Sequence, residues 1–176
     1  MSSTPEKLMD LAEAHIRQGG YAGFSFRDLA AALGIKSASV HHHFPTKPQL
    51  AAAVARRYCE QFLDAVAPRL SDNADDAIAI YRSAFRAALE EDGKMCLFGV
   101  LGAEKGSLPA EVVDEIYAFF RACIDDLSTR IGGPAAQAQA FEVMATLEGG
   151  MILARAYDSL EPFDAAVASL SPSRAA

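Results

Sequence analysis

The stretch Phe24–Leu50, FSFRDLAAALGIKSASVHHHFPTKPQL, decides how the whole chain is read. It reads as a short helix, a tight turn, a second short helix and the start of a third. Ser25 is placed to cap the first, because a serine hydroxyl accepts the amide three residues on, and Asp28 at that point completes a capping box. Leu29, Ala32 and Leu33 then share one helical face. Gly34 supplies the left-handed stop that residues with a Cβ resist. Beyond it, Val40 and Phe44 are one turn apart and point inward, leaving Ser37, Ala38, Ser39, His41 and His42 facing out. Thr46 with Gln49 makes a second capping box, and Pro48 is tolerated in a first helical turn. Two short helices about a Gly-containing turn, the second presenting small hydrogen-bonding side chains, form the helix-turn-helix geometry that enters a DNA groove.

The ordered set Gly34-Ile35, Ser39-Val40-His41-His42-His43-Phe44-Pro45-Thr46-Lys47 and Leu50 resembles the N-terminal domain of the tetracycline-repressor (TetR) family. Upstream, Gly20-Tyr21, Ser25, Leu29-Ala30 and Leu33 fit the same pattern, so the resemblance covers about residues 5–57. Two positions depart from it. Lys36 stands where the family usually has a Ser or Thr cap, which moves the expected cap to Ser37. His41 stands where a Tyr usually touches the phosphate backbone, and an imidazole can also donate there. The resemblance implies an all-α chain: a three-helix DNA-binding domain over 1–46, a fourth helix (47–67) linking it onward, and a ligand-binding and dimerisation domain over 47–176.

Charge supports a division of labour. The chain carries a net charge of −7. Residues 1–57 hold seven Lys/Arg against four Asp/Glu and all four histidines, whereas residues 58–176 hold nine against nineteen. A basic head (net +3) on an acidic body (net −10) lets one end of a molecule meet DNA. No apolar run approaches the roughly 18 residues that span a bilayer, and MSSTPEKLMDL lacks the basic start and apolar centre of a secretory signal. Cys59, Cys96 and Cys123 are odd in number and lack metal-like spacing, which fits thiols in a reducing cytoplasm.

Along the chain, helix signals recur and strand signals do not. Thr4-Pro5 opens a helix with Leu8, Leu11, Ala12 and Ile16 on its buried stripe. The helix from Lys47 carries Leu50, Val54, Tyr58, Phe62 and Val66 and ends near Pro68. Asp72 to Asp76 opens another, lined by Ile78, Tyr81, Phe85 and Leu89 and broken at Asp92-Gly93. A short apolar helix spans Met95 to about Ala103. Pro109 opens a long helix carrying Val112, Ile116, Phe119, Phe120, Cys123 and Leu127, ended by Gly132-Gly133-Pro134. The next, Ala135 to about Tyr157, places Phe141, Met144, Leu147, Met151 and Ala154 on one side. Gly149-Gly150 in its middle costs about 2 kcal/mol in helix propensity, which predicts that another backbone or a ligand comes close there. Pro162 begins a last short helix, and 171–176 reads as a frayed tail.

The candidate DNA contacts are Ser25, Arg27, Lys36, Ser37, Ala38, Ser39, His41, His42 and Lys47. Ser37, Ala38 and Ser39 are small enough for the helix to sit deep in the major groove. Lys47 is an unfavourable charge at a helix start, a conflict that a phosphate resolves; Arg27 is placed likewise, and a merely solvated charge is the alternative for each. Adjacent helical residues point about 100° apart, so His41, His42 and His43 cannot share one metal ion. His43 is expected partly against the core. Histidines on phosphate would raise DNA affinity on acidification.

The resemblance further implies a homodimer on a twofold-symmetric operator, with half-sites about 34–36 Å apart or a multiple, the dimer contact formed by the helices at 109–131 and 134–157. It also implies a small-molecule effector that releases DNA by tilting the 47–67 helix. Candidate effector residues are Phe62, Tyr81, Phe85, Cys96, Phe98, Phe119, Phe120, Met144 and Glu148, no cofactor being expected. Cys96 follows Lys94 at a helix start, which favours a thiolate able to meet an electrophile or oxidant; a buried small hydrophobe is its alternative. Glu148 is expected to orient a ligand or pair with Arg155. A helical enzyme or carrier using Cys96 is the rival reading, weakened because every histidine lies in the head. A ligand-independent DNA binder is the other.

Overall fold

The computed structural model describes residues 3–67 and 73–170. Among these every regular element is helical: α1 (Thr4–Gly19), α2 (Phe26–Leu33), α3 (Ser37–His43), α4 (Lys47–Ala65), α5 (Ala74–Asp92), α6 (Leu97–Ala103), α7 (Ala110–Ile131), α8 (Ala136–Tyr157) and α9 (Glu161–Val167), with 3-10 turns at Tyr21–Gly23 and Lys105–Ser107. The expected all-α class and N-terminal helix-turn-helix are therefore present. The expected helix end near Pro68, the helix start at Asp72 and the tail at 171–176 lie outside the described residues.

Helix boundaries follow capping chemistry. Ser3, one residue before the expected start, forms a capping box with Glu6 and precedes Pro5 in the first turn. Ser25 caps α2 by accepting the Asp28 amide at 3.3 Å, while its hydroxyl donates to the Asp28 carboxylate at 2.6 Å. Thr46 accepts the Gln49 amide at 3.3 Å. Asn73 and Asp76 cap each other's amides at the start of α5, placing acids at the positive end of its dipole. Gly34 ends α2 in the left-handed region at φ 65°.

The contacts divide the chain into two compact units: residues 1–60 with 97–118, and residues 61–96 with 119–176. The first unit buries Leu8, Ala12, Ile16, Leu29, Val40, Leu50 and Val54 completely, with Leu97, Phe98, Leu101 and Val112 of the later segment. Arg57 ties α4 to α1 through Asp10 (2.7 Å) and Glu13 (3.1 Å). A clasp with no counterpart in the sequence reading joins α6 to the turn after α1. The Tyr21 amide donates to Glu104 Oε2 at 2.8 Å, and a Cβ on Gly20 (φ 75°) would lie 1.9 Å from Glu104 Oε1. Only glycine accommodates both the positive φ and that approach.

In the second unit Phe62 is the hub of an aromatic cluster, edge-on to Tyr81 and Phe85 at 5.6 Å each and to Phe119 at 5.4 Å. Tyr81 donates to Asp126 at 2.9 Å, and Arg130 joins Asp126 (3.1 Å) to the Val66 carbonyl (2.9 Å). Burial beside that carboxylate raises the Tyr81 pKa, so its hydroxyl remains a donor. α9 packs back on α8, and Gly150 is where it comes closest: an added Cβ would meet the Phe163 ring at 2.9 Å. Gly149 has nothing within 4 Å. What comes close is thus a side chain rather than the expected backbone or ligand, and at Gly150 alone. Phe141, expected on the buried side of α8, is 58% exposed; the buried face of that helix passes through Ala140, Val143 and Met144 instead.

These two glycines should respond in opposite ways to alanine. At Gly150 the buried Phe163 ring must shift, costing about 1–3 kcal/mol against about 1 kcal/mol gained in helix propensity. Chemical denaturation should show Gly150→Ala less stable than the parent by about 1 kcal/mol, and Gly149→Ala no less stable.

Candidate nucleic-acid interface and effector site

The exposed surface of the helix-turn-helix is set by one buried residue. Val40 on α3 is wholly buried, and a helix seven residues long with its valine inward turns Ser37, Ala38, His41 and His42 outward, all exposed, with Ser39 half-buried. Lys36 and Arg27 are exposed as well. Two local expectations are corrected. The N-cap of α3 is Lys36, with no side-chain cap bond. The cap does not move to Ser37 because that residue is already helical. His43 is exposed rather than leaning on the core, since it lies three residues past Val40 near a frayed end where its ring meets His42 edge-on at 5.4 Å.

His41 and Lys47 are more constrained than a free surface side chain. His41 Nδ1 lies 3.3 Å from the Pro45 carbonyl, its ring edge-on to Phe26 at 4.8 Å. A ring nitrogen facing a carbonyl must donate, so the proton of the neutral imidazole resides on Nδ1. Nε2 then becomes a second donor only in the imidazolium form. Lys47 donates to the Phe24 carbonyl at 2.6 Å, its ammonium over the rings of Phe24 (4.4 Å) and Tyr21 (4.7 Å). Desolvation in this nest lowers its pKa. In this structure Lys47 is a strut under the turn between α1 and α2, with proton donors still available for an anion. Ser25 is a cap first, both faces of its hydroxyl being engaged with Asp28.

Eight of the nine residues expected to meet an effector lie in the second unit. Phe62, Tyr81, Phe85, Phe119 and Phe120 share the aromatic cluster of the second unit, Phe120 edge-on to Phe119 at 5.3 Å. Met144 is buried in that unit. Phe98 belongs to the first unit, edge-on to Tyr58 at 5.9 Å. An open cleft of about 440 Å³ contains none of the nine; it is lined by Leu89, Gly93, Ala154, Arg155, Asp158, Ser159 and Leu160.

Cys96 precedes α6 and is buried. Glu148 is the unexpected member. Both carboxyl oxygens are closed to solvent, and no hydrogen-bond partner among the described residues reaches either. It does not pair with Arg155, which is exposed at the cleft. Burial drives its pKa up to about 7, opposed only by the Cys96 thiol, a weak donor that approaches the carboxyl without forming a well-shaped hydrogen bond. Its sequence signal, a single acid in an apolar helix, was legible; its lack of a partner was not.

With this geometry in place, comparisons with known proteins agree on a family. Residues 8–54 match the model of bacterial regulatory proteins, tetR family. The chain is 28% identical over 127 residues to the HTH-type transcriptional regulator CymR of Pseudomonas putida, a match covering 70% of this chain and 63% of that protein's own length. A TetR transcriptional regulator from Legionella pneumophila superposes with a TM-score of 0.90 at 28% identity, over 97% of this chain and 96% of the other. A TetR-family regulator from Agrobacterium tumefaciens gives 0.87 at 27% identity, over 93% of each. Residues 8–54 thus match the DNA-binding domain of tetR-family regulators, and the chain as a whole is similar in fold to solved members of that family. No helix among the described residues is long and apolar enough to cross a membrane.

Two measurements follow from the site. Lys47→Leu should cost about 1–2 kcal/mol of stability without DNA, through the lost bond to Phe24 and the lost cation–π contacts, whereas Arg27→Ala, on an exposed side chain, should cost nothing measurable by the same denaturation. Glu148 should make stability fall with pH. The unfolded chain releases that proton near pH 4.5 and the folded chain only near 7, so stability drops as pH rises through this window. Glu148→Gln should therefore gain on the parent as pH rises, by roughly 3 kcal/mol at about pH 8 relative to about pH 4.

Proposed function

We propose that the chain is a homodimeric transcriptional repressor that binds a twofold-symmetric operator through α3 and leaves it when a small molecule occupies the body. The observation that carries this reading is the outward face of α3, where Ser37, Ala38, His41 and His42 are exposed above a wholly buried Val40. A helix with small side chains along its outer face can approach base edges closely, with hydroxyls and imidazoles as donors and acceptors. Arg27, Lys36 and Lys47 are read as backbone contacts that position the head. In this reading residues 1–46 are the DNA-binding domain and 47–176 the effector and dimerisation domain, acting in the cytoplasm.

Dimerisation is supported by α8. Phe141, Ile152, Leu153 and Tyr157 on that helix are 44–72% exposed, and the helix is apolar on its buried side as well. A helix apolar all round is stable in water only when both sides are covered. Effector control would act by tilting α4, at whose first residue Lys47 grips the turn before α2.

Selection of bound sites from random duplexes tests the reading. A palindromic site should emerge, and replacing Ser39 or His41 by Ala should weaken binding to it by about tenfold, the scale of one lost base or phosphate contact. Recovery of no preferred sequence, with random DNA bound equally well, would sink it.

A further inference from the structure

The buried carboxyl of Glu148 is approached by the Cys96 thiol and joins no ion pair among the described residues. Its two oxygens are out of solvent and without a hydrogen-bond partner among the described residues, a placement that works against stability. On the same face of α8, one turn to either side, Met144 and Met151 are buried. Against it comes Cys96, and Met95 beside Cys96 is buried too. The surroundings are therefore apolar, soft and adaptable, methionine and cysteine being side chains that reshape around a guest. A second copy docking on the exposed face of α8 would not supply the missing donor, because the oxygens are already closed off within one chain.

We infer that Glu148 is the anchor of an effector site for lipophilic organic amines, whose ammonium group pairs with the carboxylate beside Cys96 while the apolar body lies among the methionines. This deepens the reading of residues 47–176 as an effector domain and rests on it. An ammonium fits better than other donors for two reasons. It supplies both hydrogen bonds and the opposite charge that a buried carboxylate needs. The body's excess of ten acidic groups over basic ones also draws cations and repels anions. A neutral alcohol meets only the hydrogen-bonding need, and a carboxylate ligand meets neither. Because the empty carboxyl is largely protonated below neutrality, binding of the ammonium expels that proton. No other charged side chain shifts the group, so Cys96 is the titratable neighbour to control for.

Isothermal titration calorimetry on the full chain tests this with benzylamine, naphthylmethylamine and tryptamine, each against its matching alcohol and carboxylate. At least one amine should bind about tenfold or more tighter than its matched alcohol and carboxylate. Glu148→Gln should weaken that amine by about tenfold or more, the scale of a charge-assisted pair, and Cys96→Ala, which keeps the carboxylate, should still bind the amine more tightly than its alcohol. The dependence of the heat on buffer near pH 6 should report about one proton released per amine bound, a signature that a merely structural Glu148 would not produce. Equal binding by Glu148→Gln, preference for the carboxylate or alcohol, or no binding of any amine overturns the assignment. Operator binding measured on the same preparations separates the two claims: a chain that takes amines but recognises no DNA loses the regulator reading and keeps this site.

Discussion

A seven-residue helix does not hold its shape in water, because the first turn fixes several dihedrals for a single hydrogen bond. Everything exposed on α3 therefore depends on what grips it from beneath. Val40 does most of this, fully buried beside Leu29 of α2 and Leu50 of α4 in one core. The flanks are secured by polar devices that close the same small volume: the hydroxyl of Ser25 on Asp28, Nδ1 of His41 on the Pro45 carbonyl, and the ammonium of Lys47 on the Phe24 carbonyl. Each uses a side chain that could otherwise meet DNA. The head thus spends part of its polar inventory on holding α3 still, and the side chains left wholly outward are few and small.

The second unit solves a different problem. Its longer helices are stable once packed, and the aromatic cluster about Phe62 with the Tyr81–Asp126–Arg130 network ties together residues of α4, α5 and α7. Two features work against stability. α8 leaves large apolar side chains in water, from Phe141 to Tyr157, and Glu148 holds a carboxyl out of solvent with no hydrogen-bond partner among the described residues. Each is costly in an isolated chain and understandable in one that meets something else: a second copy on the outer face of α8, a small guest on its inner face.

Much of this was legible in the residues. The helix order, the Ser25 and Thr46 caps, the Gly34 and Gly93 stops and the buried stripes of α1, α4 and α5 follow from local chemistry and a 3.6-residue period. The errors were local as well. Ser37 was expected to cap α3, and the helix simply begins there. Phe141 and His43 were assigned inward from spacing alone, which gives the angle between residues on a helix but not where the buried arc ends. The clasp between Glu104 and the Gly20-Tyr21 turn joins residues more than eighty positions apart, and no pattern in the chain announces it.

By itself the sequence determined the all-helical class and the helix-turn-helix with its outward residues, because these rest on interactions between residues within a turn or two of one another. Only the tertiary structure decided that Lys47 is a strut, that Gly150 rather than Gly149 is the close approach, and that both carboxyl oxygens of Glu148 are buried with no hydrogen-bond partner among the described residues. Burial and pairing are properties of three-dimensional neighbours, and the free energy of a charge is set by what surrounds it rather than by what precedes it in the chain.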